Sequence, residues 1–525
     1  MTIASHDFFK DKVLGHPAGL FVLFFTEMWE RFSYYGMRAL LVLFLTSSIA
    51  QGGWAWSTER ALGLYGSYTM GVYLTPVIGG WLADKYLGYR WAVVIGALIM
   101  ALGHASMAVE TLTFLYIGIG LLMIGNGLFK PNMTSIISNI YKDHEDKKDG
   151  AYSIFYMGVN AGAFLGIMLC GYIGEKVSWS WGFGLAGIFM FLGMLQFYFS
   201  QNIFGHLGLP PKQMKKLVEE ADATELEPEV VELEQEIEHD TTPRKVVIER
   251  LLVVLIFSIF TVFFWAAFEQ AGGSMTLFAN NYTQRVLDGT SGFIFKIVDA
   301  LLNIVPLGII TYVLAKLFSV TFKKYSIANT ILGFSFTLIW GIVLWKIFRE
   351  FETENTEVPA TWFGILNSLF IICFAPLFAK WWESKYTIPA AMKFGLGLVL
   401  LGVGFSFLAY GSTSIVDSTI KVSMIWLIFA YFFHTMGELC LSPVGLSYVS
   451  KLVPAKWIGM MFGIYYLFIA MGNKLAGSLG GMIDKITAQY SLSVFFLIFT
   501  IVPIAAGLIM MALHPLIKRM MHGVK

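Results

Sequence analysis

Four charged residues interrupt an otherwise apolar stretch near the start of the chain: Glu27, Glu30, Arg31 and Arg38, with Tyr34 and Tyr35 between them. On a helix advancing 100° per residue, all six fall within an arc of roughly 140°, while Trp29 and Phe32 lie outside it. One face of this helix is therefore a charged stripe. A charge at the centre of a membrane helix costs about 2.5–3.5 kcal/mol on insertion scales, so such groups persist where they pair or line a cavity. The stripe is either an ion-pair network bracing two helices or part of a site. Further polar groups sit in equally apolar surroundings. Lys130 lies in Gly125-Asn-Gly-Leu-Phe-Lys130-Pro-Asn132, Asn160 in Phe155-Tyr-Met-Gly-Val-Asn160, and Glu269 follows Phe263-Phe-Trp265. Asn367 precedes Ser368, and Glu438 lies in His434-Thr-Met-Gly-Glu438. Each alone reads equally as a satisfied polar group beside a kink, which Pro131 and Pro443 predict. Together they read as one polar cavity. Glu27, Glu30, Glu269 and Glu438 oppose Arg31, Arg38 and Lys130, a net charge of minus one; a zwitterionic guest adds nothing, and enclosing it favours uptake of one proton. Lys474, if it shares the cavity, removes that imbalance.

The elements that must hold these residues are membrane helices. The 525 residues are 57% hydrophobic and 14% charged, with net charge +1. A soluble surface needs about a quarter charged residues, and the balance offers no basic field for nucleic acid. The three cysteines lie in apolar runs, which argues against a disulfide framework. The polar first seventeen residues and the long apolar segment after them lack a signal-peptide pattern. Apolar runs of membrane length fall near 18–48, 61–84, 91–109, 112–140, 150–174 and 181–201. Eight more fall near 246–279, 293–319, 326–348, 361–383, 388–410, 422–450, 457–483 and 491–517. The reading is an all-α polytopic protein of fourteen spans: a bundle in 1–204, a polar, acidic linker in 205–245 (Glu219 to Glu238, with Pro228 and Pro243), and a second bundle in 246–525 with an extra hairpin at about 293–348. Asp299 and Asn303 are the hairpin's few polar residues, and it reads as peripheral to the cavity. Lysine and arginine concentrate in the loops on the side of Lys10 and Lys12, including Lys85, Arg90, Lys142, Lys323, Lys324, Lys385, Lys451, Lys456 and Lys525. That asymmetry predicts cytoplasmic termini in a cell membrane.

Two six-span bundles joined by a long linker resemble the major facilitator superfamily, whose substrate sites lie at the midplane between halves. Gly80-Trp-Leu-Ala-Asp84-Lys85-Tyr-Leu-Gly88-Tyr-Arg90 is similar to that superfamily's G-x-L-A-D-R-x-G-R loop with one inserted residue. Glu27-Met-Trp-Glu30-Arg31-Phe32-Ser-Tyr34-Tyr35-Gly36 resembles the E-x-x-E-R-F-x-Y-Y-G motif of proton-coupled oligopeptide transporters. Gly125 to Asn132, Phe155 to Gly162 and Gly437 to Pro443 also match that family in order, so the resemblance covers nearly the whole chain.

The resemblance implies a symporter importing di- and tripeptides with protons by alternating access, with no cofactor or metal. It implies that Arg31 and Lys130 hold the peptide carboxylate, and that Asn160, Asn367 and Glu438 hold its amino group. Tyr35, Tyr73 and Trp265 would line the pockets, although simple packing explains each of these three as readily. Glu27 and Glu30 would pair with Lys130, and Arg38 with Glu269, as proton-sensitive gates. Animal relatives carry a histidine on the second span, where this chain has Gly66, so coupling rests on carboxylates; His104 and His434 read as packed or locally bonded. Other prokaryotic members carry their extra helix pair in the central linker, whereas here it follows the span of Glu269. Competing substrates are other zwitterions, drug-like molecules or nitrate, the last disfavoured by the negative site. An intramembrane enzyme is the alternative from another class. There is no HExxH, no GxSxG and no GK dipeptide for a P-loop, and no repeated ligand ring as in a channel.

Overall fold

The structure, a computed structural model, describes residues 7–220, 243–416, 419–454 and 457–524. Most of the acidic linker (Glu225 to Glu238, with Pro228), together with Lys456 and Lys525, lies outside the described residues. Helices satisfy their own backbone groups where no water can, and apolar runs of this length become helices throughout. The first bundle comprises α1 (Ala18–Thr46), α2 (Thr58–Leu82), α3 (Gly88–Met107), α4 (Leu112–Ile140), α5 (Glu145–Lys176) and α6 (Trp179–Ser200). A short helix α7 (Pro211–Glu220) opens the linker. The chain then forms α8 (Arg244–Phe268), a 3-10 turn (Glu269–Gly272) and α9 (Ser274–Tyr282), followed by α10 (Gly289–Thr321) and α11 (Ser326–Glu352). A 3-10 turn (Ala360–Gly364) leads into α12 (Ile365–Glu383), α13 (Ala390–Gly411), α14 (Ile425–Leu452), α15 (Ile458–Gly480), the short α16 (Ile483–Gln489), α17 (Leu492–Ala512) and α18 (His514–Met520).

Among the described residues, twelve helical stretches are long and apolar enough to cross a bilayer. One of them, 58–107, contains both α2 and α3, joined by a π-helical turn at Ala83–Leu87. The 29-residue α1 is long enough to cross as well, and differs from the twelve in carrying Glu27, Glu30, Arg31 and Arg38 along its length. Counting 58–107 as two and adding α1 gives fourteen.

Small residues decide how α1 is turned. Gly158, Gly162 and Gly166 recur every fourth residue along α5, and small-residue stripes let helix backbones approach closely. A Cβ on Gly162 would lie 2.2 Å from the Met28 carbonyl oxygen, and one on Gly166 2.2 Å from that of Phe32. On another face, Trp29 stacks on Phe189 of α6 with ring centroids 4.9 Å apart. With these sides taken, Arg31, Tyr34, Tyr35 and Arg38 face the space between the bundles.

The bundles meet where α2 crosses α15 and where α5 meets α12 and its preceding turn. Polar bonds between them made by Arg38, Tyr65 and Lys474 lie in the half of the molecule away from the termini, here called the far face. The α2–α15 crossing is tight: a Cβ on Gly66 would lie 2.9 Å from Cα of Gly477. A histidine side chain at position 66 has no room in this packing. Lys474 of α15 seals the same crossing by donating to Ser67 Oγ (2.7 Å) and to the Gly63 carbonyl (3.4 Å).

The hairpin α10–α11 belongs to the second half in sequence but docks on the first in space. Phe336 packs edge-on to Phe25 (5.6 Å) and Trp29 (5.7 Å). Tyr172 donates to Glu350 Oε1 (2.7 Å), and Arg349 donates to the Lys176 carbonyl (3.1 Å). Asp299 has a partner that sequence reading overlooked: Lys346 donates to both of its carboxylate oxygens at 3.1 and 2.8 Å. Trp362 Nε1 donates to Asp299 as well (3.2 Å). The two ends of the hairpin meet in a ribbon, Val286 paired with Glu357 and Leu287 with Thr356. At the terminal face, Asp11 pairs with Lys324 in the hairpin's loop (2.5 Å).

In the Asp84 loop, Arg90 is buried and donates to the carbonyls of Leu207 (2.5 Å) and Gly205, tying α3 to the segment after α6.

Candidate functional site

Between the bundles lies a partly open cavity, about 1070 Å³ of unfilled space with the open solvent at its mouth included. The first bundle contributes Arg31, Tyr34, Tyr35 and Arg38 from α1, Tyr73 from α2 and Lys130 from α4. The second contributes Trp265, Phe268, Glu269, Asn367, Tyr431 and Glu438. No residue of 289–352 lines it. Lys474 is not among its lining residues, and neither are Glu27 and Glu30, which stand behind Arg31; the wall itself carries Arg31, Arg38 and Lys130 against Glu269 and Glu438, and one negative charge is in excess only when Glu27 and Glu30 are counted with it.

The stripe on α1 is internally paired. Arg31 Nε donates to Glu27 Oε1 at 2.8 Å and lies 2.7 Å from Glu30 Oε2. The second contact is ionic only, because Glu30 Oε2 has no hydrogen-bond partner. Asn126 of α4 donates to Glu30 Oε1 (3.0 Å), a contact sequence reading missed although Asn126 lies one turn before Lys130. The expected pairing of Glu27 and Glu30 with Lys130 is therefore not what the structure has: both carboxylates go to Arg31. Lys130 instead places Nζ 4.7 Å from the centre of the Tyr73 ring. Both contacts of Arg31 are made through Nε, and the flat outer edge of its guanidinium is the part suited to a bidentate carboxylate.

On the opposite wall, Asn367 donates to Glu438 Oε2 (2.9 Å) and Thr435 Oγ1 (3.2 Å), which fixes the carboxylate toward the cavity. Trp265 carries a buried indole N–H with no partner. Toward the far face, Arg38 pairs with Glu269, as expected, and Tyr65 completes the group. Arg38 Nε donates to Tyr65 Oη (2.6 Å), and Tyr65 donates to Glu269 Oε2 (2.9 Å). Tyr65 fits because Gly272 leaves room: a Cβ there would lie 2.0 Å from the phenol oxygen. Sequence held no signal for this contact beyond a tyrosine one turn from Arg60 and a glycine pair after Glu269.

Asn160 does not reach the cavity. Its amide donates back to the Tyr156 carbonyl on its own helix (2.9 Å), the local bond that short polar side chains readily make. His104 is packed with neither ring nitrogen bonded. His434 touches the cavity but has no side-chain partner, its ring lying against Phe405 (4.3 Å). Among the described residues no group of histidine, cysteine and acidic side chains could hold a metal ion.

The chain matches the family described as "POT family" over residues 90–337 and 341–498. It is 30% identical over 530 residues to "Uncharacterized transporter YclF" of Bacillus subtilis (strain 168), covering 97% of this chain and 96% of the relative. It is 28% identical to "Peptide transporter YePEPT" of Yersinia enterocolitica subsp. palearctica serotype O:3 (strain YE-P4), covering 97% and 96%. A solved structure of peptide transporter POT in complex with sulfate superimposes with a TM-score of 0.74 at 28% identity, covering 98% of each chain.

Proposed function

We propose that this chain, which belongs to the POT family, is a transporter that imports di- and tripeptides together with protons by alternating access. The observation that carries the reading is the polarity of the cavity. Guanidinium and ammonium groups (Arg31, Lys130) stand on the first bundle's wall, and a carboxylate steadied by an amide (Glu438, Asn367) stands on the second's. A free peptide bears its carboxylate and its ammonium at opposite ends, so one guest contacts both bundles at once and draws them together. Affinity then resides in the termini, and Tyr35, Tyr73 and Trp265 take side chains of many kinds.

Protons enter through the same ionic set. Arg31 is held by Glu27 and Glu30; neutralising either carboxylate loosens that hold and frees the guanidinium for a substrate carboxylate. With Glu27 and Glu30 included, the ionic set around the cavity has one negative charge in excess, which favours that uptake, since a zwitterion brings no charge of its own. No cofactor is needed, the proton being the coupling ion. The basic residues at the terminal face support a cell-membrane protein with both termini in the cytoplasm.

The test is uptake of a labelled dipeptide by purified protein in liposomes, with and without an inward proton gradient. Accumulation that requires the gradient, and is competed by unlabelled dipeptides but not by free amino acids or nitrate, is the expected outcome. Uptake of nitrate or a free amino acid in place of the dipeptide would replace the substrate assignment.

A further inference from the structure

At the far face, the α5 residue Glu175 reaches across to the other half. One of its carboxylate oxygens accepts the backbone N–H of Ala360 (2.8 Å). The other accepts the backbone N–H of Thr361 (2.9 Å) and the Thr361 hydroxyl (2.6 Å). These are the open N–H groups of a helix start, and the helix they begin carries Thr361, Gly364, Asn367 and Ser368 into the cavity wall. The contact is built on both sides. A Cβ on Gly171, one turn earlier on α5, would lie 2.2 Å from the Thr361 hydroxyl, so glycine there makes the seat for this side chain. The neighbouring Lys176 pairs with Glu357 (2.6 Å), three residues before Ala360.

The Arg38–Tyr65–Glu269 group closes the far face between α1, α2 and the turn after α8. Glu175 closes it at a second place, between α5 and the start of α12. The two share no residue. A carboxylate accepting three donors, two of them main-chain, cannot keep them while the bundles separate at this face, so opening must strip it of all three together. Charge-assisted bonds of this kind are the stronger class.

We infer that Glu175 is a positioning residue of the transport cycle: it latches the first turn of the Asn367 helix to the first bundle while the far face is closed, and its release is a required step in opening. The inference rests on the alternating-access reading above. It assigns Glu175 no contact with substrate; it acts through the placement of Asn367 and its neighbours.

Distance measurements between spin labels test it. V109C and Y490C are exposed positions in far-face loops of the first and second bundles; C373S removes the one exposed native thiol. Wild-type background is expected to give a short and a long separation whose ratio moves with pH and dipeptide. E175A should raise the long-to-short ratio at least tenfold, and E175Q, which keeps one accepting oxygen, by less. T361V, which keeps both main-chain bonds, should shift it least. In uptake, E175A should raise the KM for dipeptide while the thermal midpoint stays that of the parent. A background that shows two separations, with E175A leaving their ratio unchanged, overturns the latch. If E175A does not fold, the ratio in E175Q, and after it in T361V, upholds or overturns the latch in the same way. A background with one separation under every condition overturns alternating access itself.

Discussion

Two regions of this protein bury opposite charges among apolar helices, and they do it differently. In the hairpin, Lys346 and Asp299 form a closed set. The ammonium meets both carboxylate oxygens, Trp362 and Asn303 donate to what remains, and neither member of the pair lines the cavity between the bundles, although Asn303 Oδ1 itself has no partner. At the cavity, Glu269 and Glu438 share the walls with Arg31, Arg38 and Lys130, and Glu27 and Glu30 stand behind Arg31. Glu30 Oε2 lacks a hydrogen bond, Trp265 Nε1 has no partner, and Lys130 leans on a ring instead of a carboxylate. The saturated pair has nothing left to offer a guest or a proton. The cavity set is less fully bonded, and Arg31, Arg38, Lys130, Glu269 and Glu438 border empty space. Incomplete satisfaction beside a void, rather than burial of charge as such, separates a working ionic site from a structural one.

That contrast can be broken by substitution. The largest effect is expected from E27Q or E30Q: gradient-driven accumulation of dipeptide should fall to background while peptide-for-peptide exchange in the same liposomes persists. Equal loss of both would assign these carboxylates to binding or folding. Next, R31K should lower dipeptide uptake about 10–100-fold, the size expected when a bidentate charge-assisted contact becomes a point contact. Near-normal uptake by that variant would remove Arg31 from the carboxylate site. The smallest effect on transport is expected in the hairpin. K346M strands a buried carboxylate, which costs about 3–5 kcal/mol, and should lower the thermal midpoint by several degrees. D299N/K346M should recover most of it while keeping an oxygen for Trp362. Uptake per folded molecule should stay within about threefold in both, a difference of roughly 0.6 kcal/mol. A hairpin variant that abolished transport at an unchanged midpoint would erase the distinction between the two regions.

How much of this was legible in the sequence follows from what each contact depends on. Helix positions were, because a bilayer imposes length and apolarity on every crossing; most boundaries fall within about three residues of the apolar runs. The face of α1 was legible because helical geometry is local. The pairs Arg38–Glu269 and Asn367–Glu438 followed from the motif, the second as two residues gathered at one end of the substrate. Contacts that depend on which helix lies beside which were not. Glu30 has Arg31, Asn126 and Lys130 within its neighbourhood, and choosing among them requires the α1–α4 distance. Asn160 could point inward or bond its own helix, and periodicity does not discriminate. Tyr65 and Glu175 bond partners some two hundred residues away. Lys346 fell at the edge of its apolar run, where a basic residue reads as an interfacial anchor.

The ribbon of Val286–Leu287 and Thr356–Glu357 has a consequence for the architecture. The chain departs from the second bundle and rejoins it at one spot, having crossed the bilayer twice. Parity is preserved by such an excursion: every helix after it keeps its direction, and Asn367 and Glu438 arrive with the polarity they would have without the insert. A single added crossing would have turned the last five spans upside down and sent Glu438 to the wrong wall. Paired termini plus an even number of crossings make the hairpin a module that the transport core can carry without being rebuilt around it.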